Sequence, residues 1–352
     1  MAIFSISGVK ISGIAACVPP LEIYSKDYEK FSSGEQNLFI KTVGVESRRM
    51  AEKGITTLDL CLKSAEKLIS GLNWKKNEIQ FLIFVTQSKD YFLPGNGTIA
   101  QDKLKLSKGC MAFDISLGCS GYVYGLSVAA SIIKGTGLKK GLLLAGDIST
   151  VNCSYNDKST YPLFGDAGTA TAIENTEDKG KWSFNLFSDG SGYDTIIIPD
   201  GGIRNLISKE TSFENTDFEG GISRTPLHLA LKGLEVFNFA IKEVPQSVRE
   251  LLNFEQKSIK DFDFFVMHQA NRLMNETIRK KLGIEIERTP YSLQNFGNTS
   301  SASIPLTLVS QLGKDLSQNK TSLLLSGFGV GLSWGNLLLS SNKIICPEVM
   351  NF

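Results

Sequence analysis

Apolar positions along this chain change period repeatedly, and each change marks an element. Val9 to Ala16 predicts a strand, whereas Leu58, Cys61, Leu62, Ala65 and Leu68 share one face of a helix over Leu58 to Ile69. Phe81 to Val85 is an unbroken apolar run, the pattern of a strand covered on both faces. A Gly-Asn-Gly turn precedes a helix at Thr98 to Leu106, and Cys110 to Ile115 is the next strand. Tyr122, Leu126, Ala129 and Ile133 then mark one face of a helix that ends near Gly135, and strands at Gly141 to Ala145 and Thr169 to Ile173 complete a sheet.

The downstream half repeats the plan. It predicts strand Trp182 to Phe187, helix Leu231 to Leu252, strand Phe262 to Met267, helices Arg272 to Leu282 and Ser301 to Leu312, and strands Ser322 to Leu325 and Leu332 to Leu338. The most apolar stretch, Ser322 to Leu339, is broken by Gly327, Gly329, Gly331 and Gly335, so it predicts two buried strands and a tight turn. A membrane-spanning helix would need about 20 apolar residues with few breaks. Alternating elements imply α/β layers, here as two duplicated halves, residues 1–178 and 179–352, with a pocket between them. Gly201 to Arg224, rich in Gly, Ser, Thr and acidic residues, is the longest loop and is expected to cover that pocket.

Composition narrows the function classes. A chain of 352 residues, 42% of them hydrophobic, buries a large core. Thirty-seven basic against 36 acidic residues leave a net charge of +1, which excludes an overall field for nucleic acid. The six cysteines form no C-x-x-C pair and no ligand-like cluster with histidine, which argues against a metal site and for reduced thiols. Met1-Ala2-Ile3-Phe4-Ser5 lacks the charged start and apolar run of a signal peptide, so a cytoplasmic location without membrane contact is expected.

Three residues carry candidate chemistry. Cys119 lies in Asp114-Ile115-Ser116-Leu117-Gly118-Cys119-Ser120-Gly121-Tyr122, where a strand runs into a helix. A helix start favours thiolate over thiol, so Cys119 is expected to ionise more readily than a mid-strand cysteine. His268 opens His268-Gln269-Ala270-Asn271 after a strand, and Asn298 sits in Phe296-Gly297-Asn298-Thr299-Ser300-Ser301. Each has a plainer role: a small buried hydrophobe, a strand-end residue, a turn or cap residue. His228, after Thr225-Pro226, receives no role.

Further motifs accompany these in a fixed order. They are Arg48-Arg49 after Val43-Gly44-Val45, Phe164-Gly165-Asp166-Ala167-Gly168, Gly233-Leu234-Glu235-Val236-Phe237 and Gly327-Phe328-Gly329-Val330-Gly331 leading to Trp334-Gly335. With the Cys119, His268 and Asn298 segments they resemble the β-ketoacyl-acyl-carrier-protein synthase III branch of the thiolase-like enzymes over essentially the whole chain. The resemblance implies a five-layer α/β/α/β/α sandwich and a homodimeric enzyme of fatty acid biosynthesis that needs no metal or redox cofactor. Its substrates would be coenzyme A or acyl-carrier-protein phosphopantetheine thioesters. Cys119 would take up an acyl group, and His268 and Asn298 would activate a malonyl thioester for decarboxylative Claisen condensation. Backbone N–H groups of Cys119, Gly329 and Val330 would form an oxyanion hole. Leu93 (donated by the partner subunit), Phe328, Leu231, Lys158 and Lys41 would contact substrate, and Arg272, Arg279, Lys280 and Lys281 would face the acidic carrier protein.

Among relatives, elongating synthases resemble Cys, His, His and thiolases Cys, His, Cys. Here the only other histidine, His228, lies before the Gly233 motif, and the Gly327 to Gly331 loop holds no cysteine, so the resemblance implies condensation rather than thiolysis. The chain departs from the pattern in three places. Val330 replaces a usual glycine, Leu38 and Thr42 stand where relatives place an adenine-stacking tryptophan and an arginine, and Leu93 stands where short-chain relatives resemble an aromatic. Those departures keep open an acyltransferase that passes the acyl group to an alcohol or amine. A third reading is a non-catalytic partner subunit of a synthase.

Overall fold

The computed structural model describes residues 2–178, 180–208, 211 and 213–352. Two mixed sheets form the frame. The first runs, edge to edge, Met350–Asn351, Val9–Val18, Asp166–Asn175, Lys140–Ile148, Phe81–Val85 and Met111–Ile115. The second runs Ala2–Ser7, Lys181–Ser188, Ser333–Asn342, Lys320–Gly329 and Phe264–Met267.

Two helices, Gly121–Thr136 and Ser303–Gln318, fill the space between the sheets, and both contribute to one continuous core. The helix Thr57–Gly71 covers the outer face of the first sheet, next to Asn96–Lys103. Gly233–Phe254 and Arg272–Leu282 cover the outer face of the second. The order of layers is α/β/α/β/α. In the middle layer burial extends beyond one face. Val123 and Ala130 are sealed as completely as Tyr122, Leu126 and Ala129, because apolar sheet lies on either side of the helix. At about 1.5–3 kcal/mol for each large side chain withdrawn from water, this layer is a main source of stability.

Strand pairing crosses the expected boundary at residue 178. Ala2–Ser7 pairs antiparallel with Lys181–Ser188 in the second sheet, and Met350–Asn351 pairs parallel with Cys17 and Val18 in the first. Each end of the chain is thereby stitched into the opposite half. Neither terminal strand was predicted, nor was the helix Ser33–Thr42, which opens on a capping box formed by Ser32 and Glu35. The Gly327 region forms the expected antiparallel pair, with Gly329 opposite Ser333. Among the described residues no helix is long and apolar enough to cross a membrane.

Candidate active site

Cys119, His268 and Asn298 line one cavity of about 360 Å³. Each arrives from a different layer junction. The strand Met111–Ile115 delivers Cys119 two residues before the central helix that starts at Gly121, and its side chain is buried. The strand Phe264–Met267 delivers His268, whose backbone N–H donates to the Ser326 carbonyl at 2.8 Å. Asn298 lies just before the other central helix, held by Asn298 N–H to the Leu163 carbonyl (2.9 Å) and Gly165 N–H to the Asn298 carbonyl (3.1 Å). The motif at residues 164–168 is thus part of the seat of Asn298.

Nearby serines aim the polar groups. Asn298 Oδ1 accepts from the Ser300 backbone N–H at 3.0 Å, which leaves the amide Nδ2 as the carboxamide's donor. The turn role read in Asn298 therefore coexists with a place in the cavity. Ser300 has φ +51, a left-handed conformation, and its hydroxyl lies 3.9 Å from Cys119 Sγ. His268 Nδ1 lies 2.7 Å from Ser303 Oγ, and its ring meets Phe328 edge-on at 5.5 Å. Burial pulls the His268 imidazole down to about 3, against a backbone hydrogen bond at Ser300 that favours the charged form. The ring is neutral at physiological pH.

The thiol corrects one expectation. Burial pushes Cys119 up to about 11, and the Asp147 charge adds to the rise, against hydrogen bonds from Ser300 and the backbone N–H groups of Val330 and Cys119. Desolvation of the sulfur outweighs the helix start, which therefore eases thiolate formation without making thiolate the resting state. The same geometry bears on the loop. Backbone N–H groups of Val330 and Cys119 are directed at the sulfur. Val330 itself is absent from the positive-φ residues, because Gly329 and Gly331 take the unusual angles on either side of it. A Cβ at Gly329 would lie 2.8 Å from Cys119 Cβ and 3.0 Å from Sγ, so only glycine lets the loop approach the thiol this closely.

The other expected residues divide into two groups. Phe328 and Leu231 line the cavity, alongside Leu163, Phe164, Ile196 and Met274. Leu93, Lys158 and Lys41 do not. Leu93 is 83% exposed beside exposed Tyr91 and Phe92. Lys158 Nζ is held by Glu35 at 2.8 Å and lies against Phe31, and Lys41 is exposed on the helix Ser33–Thr42. Arg279 is clasped by Glu276 at 2.7 Å and donates to the Ile284 carbonyl, whereas Lys281 donates to the Ile241 carbonyl at 2.9 Å. Arg272 and Lys280 are exposed.

The segment Gly201 to Arg224 corrects another expectation. Its described residues include the paired strands Thr216–Phe218 and Ile222–Arg224, and none of them lines the cavity. Its flanks do so instead: Ile196–Ile197 pairs with Ala230–Leu231, and Ile196, Ile197 and Leu231 line the cavity. His228, left without a role, bonds its own turn at Thr225. Sequence reasoning passed over Ser300, Ser303, Asp147 and Gln87, all ordinary polar residues with no spacing signal of their own.

A buried thiol, a neutral imidazole and an oriented carboxamide thus face one mostly apolar cavity, the set that the family resemblance implies for an enzyme that moves acyl groups. Residues 113–190 match the sequence model for "3-Oxoacyl-[acyl-carrier-protein (ACP)] synthase III", and residues 252–341 match its C-terminal counterpart. The chain is 33% identical to a putative 3-oxoacyl-[acyl-carrier-protein] synthase 3 of Campylobacter jejuni, over 97% of this chain and 96% of that one. It is 30% identical to a β-ketoacyl-[acyl-carrier-protein] synthase III of Clostridium acetobutylicum, over 96% and 100%. The crystal structure of a 3-oxoacyl-(acyl-carrier protein) synthase from Burkholderia xenovorans superposes with a TM-score of 0.92 at 33% identity, covering 99% of each chain. The chain belongs to the 3-oxoacyl-acyl-carrier-protein synthase III family. It is accordingly a decarboxylating condensing enzyme with the thiolase fold.

Proposed function

We propose that the reaction proceeds in two steps through Cys119, with His268 and Asn298 acting in the second. In the first, the thiol of Cys119 attacks the carbonyl of an acyl thioester. A new C–S bond forms, the old one breaks, and the proton leaves with the departing thiol. In the second, a malonyl thioester loses carbon dioxide, and its electron pair becomes an enolate. We assign the Ser303 hydroxyl as the donor to His268 Nδ1, 2.7 Å away, which places the imidazole proton on Nε2. That N–H and the Asn298 Nδ2 donor converge on the enolate oxygen. A neutral ring suits this task, because an imidazolium would hand its proton to the carbanion.

The carbanion then attacks the acyl-cysteine, and the tetrahedral oxyanion is held by the N–H groups of Val330 and Cys119. Its collapse releases the β-ketoacyl thioester, and Cys119 recovers a proton from solvent. The carrying observation is that all three side chains line one cavity although they come from opposite halves of the chain. The carriers are coenzyme A or acyl-carrier-protein phosphopantetheine, and Arg272 and Lys280 are exposed cations that suit an acidic carrier. A homodimer is part of the reading, supported by the exposed apolar run Tyr91-Phe92-Leu93, from which Leu93 would enter the partner's pocket. The six cysteines are free thiols, which supports a reducing, cytoplasmic setting.

Intact-protein mass spectrometry with a panel of acyl thioesters, followed by malonyl thioester, tests both steps. A Cys119 adduct followed by carbon dioxide release and product supports condensation. An adduct discharged only by alcohols or amines would convert the reading to acyl transfer, and no adduct with any thioester would end it.

A further inference from the structure

Asp147 belongs to no motif that pointed to the site, yet it lines the cavity as a 2% exposed carboxylate. Its two oxygens face opposite halves of the chain. Oδ1 accepts from Thr86 Oγ1 (3.0 Å), the Gln87 backbone N–H (2.8 Å) and Ser88 Oγ (3.3 Å), all following the strand Phe81–Val85 of the first sheet. Oδ2 accepts from the Ser301 backbone N–H (3.1 Å) and Ser301 Oγ (2.7 Å), in the turn before the helix Ser303–Gln318. A buried carboxylate is costly unless its lone pairs are met, and five donors meet these.

Each side leads back to a reacting group. On one side Ser301 follows Ser300, whose N–H holds the Asn298 amide and whose hydroxyl faces the Cys119 sulfur. Ser300 keeps its left-handed backbone, costly for a serine, only while its surroundings hold it there, and Ser301 is the adjacent anchor. On the other side, the Gln87 side-chain oxygen occupies the space against Gly118, 2.4 Å from where a Cβ there would stand. The carboxylate therefore clamps the turn that carries Asn298 to the loop that backs Cys119.

We propose that Asp147 is a positioning residue for the condensation half of the reaction, setting the Asn298 donor against the first sheet across the cavity. The inference rests on the proposed role of Asn298. Asparagine cannot replace it. Each carboxylate oxygen receives a backbone N–H, from Gln87 or from Ser301, so an amide NH2 turned either way meets a donor it cannot accept.

The test separates the half-reactions in Asp147→Asn and Ser301→Ala, with Asn298→Ala and wild type alongside. Wild-type acylation and decarboxylation, both present and the latter lost in Asn298→Ala, establish the parent reading. If that pattern fails in wild type or Asn298→Ala, the role of Asn298 falls, and this inference with it. Given that pattern, Asp147→Asn is expected to lower malonyl decarboxylation on the order of 100-fold, the effect of an ångström of misplacement. Acylation of Cys119 should not fall with it, since loss of the Asp147 charge eases ionisation of the thiol, so the loss appears in kcat of the second step. Ser301→Ala, which keeps its backbone N–H, should move in the same direction by less and covers the case in which Asp147→Asn does not fold. Unchanged decarboxylation in the folded variants, or an equal fall in both half-reactions, would overturn the proposal.

Discussion

Replacing Gly329 with alanine asks how closely the loop must approach the thiol. The added Cβ would stand 3.0 Å from Cys119 Sγ and 2.8 Å from its Cβ. Ordinary contact between non-bonded heavy atoms is about 3.5–4.0 Å, so the sulfur or the loop must retreat by roughly 0.5–1 Å. Neither moves freely. Gly329 is in register with Ser333 in the second sheet, and Cys119 is fixed by the start of the central helix. A displacement of about 1 Å at a reacting atom costs on the order of 100-fold, or about 2.7 kcal/mol of barrier. Overpacking adds about 1–3 kcal/mol of lost stability.

The assay is the rate of Cys119 acylation, followed by intact mass, together with the thermal midpoint. Gly331→Ala is the control: it shares a positive φ (+111), but its added carbon meets only Ser333 Oγ, at 3.9 Å, and it should acylate normally. Wild-type acylation by Gly329→Ala at an unchanged midpoint would refute the argument that contact with the thiol is what requires glycine.

Other outcomes follow from the same geometry. Ser303→Ala removes the partner of His268 Nδ1, and an unmet buried polar group costs about 1–3 kcal/mol, so carbon dioxide release should fall roughly 10- to 100-fold while acylation persists. Because His268 is held down to about 3 from an ordinary value near 6.5, the unfolded chain takes up this proton first as pH falls. Its stabilising effect is complete above the ordinary value and drains away as pH drops toward about 3, so His268→Gln should show a shallower loss of thermal stability over that window than wild type. At the surface, Arg272→Glu and Lys280→Glu should raise KM for a carrier-protein thioester severalfold at low salt, with the difference closing at high salt. Arg279→Glu should instead lower the thermal midpoint, since it breaks the contacts with Glu276 and Ile284.

Period and order carried most of the architecture. The Phe81–Val85 run, the helix behind Cys119 and the paired strands around Gly331 were legible because burial on both faces, helical spacing and clustered glycines leave local marks. Cys119, His268 and Asn298 were legible as ends of elements. The exchange of terminal strands was not, since Ala2–Ser7 and Met350–Asn351 are short and are specified by distant partners. Nor was the state of the thiol. A helix start can be read from the chain, whereas desolvation depends on what the fold packs around the sulfur.

By itself, then, the sequence determined the elements and their α/β alternation and set Cys119, His268 and Asn298 at the ends of elements, because those follow from local periodicity and residue order, whereas the five-layer order was what the family resemblance implied. Tertiary structure alone decided which neighbours orient them. Ser300, Ser303 and Asp147 matter through contacts between segments far apart in the chain, and Lys158, Arg279 and Lys281 are engaged elsewhere by partners that folding brought to them. Hydrogen bonding and desolvation are fixed by distances of a few ångströms, which linear order does not specify.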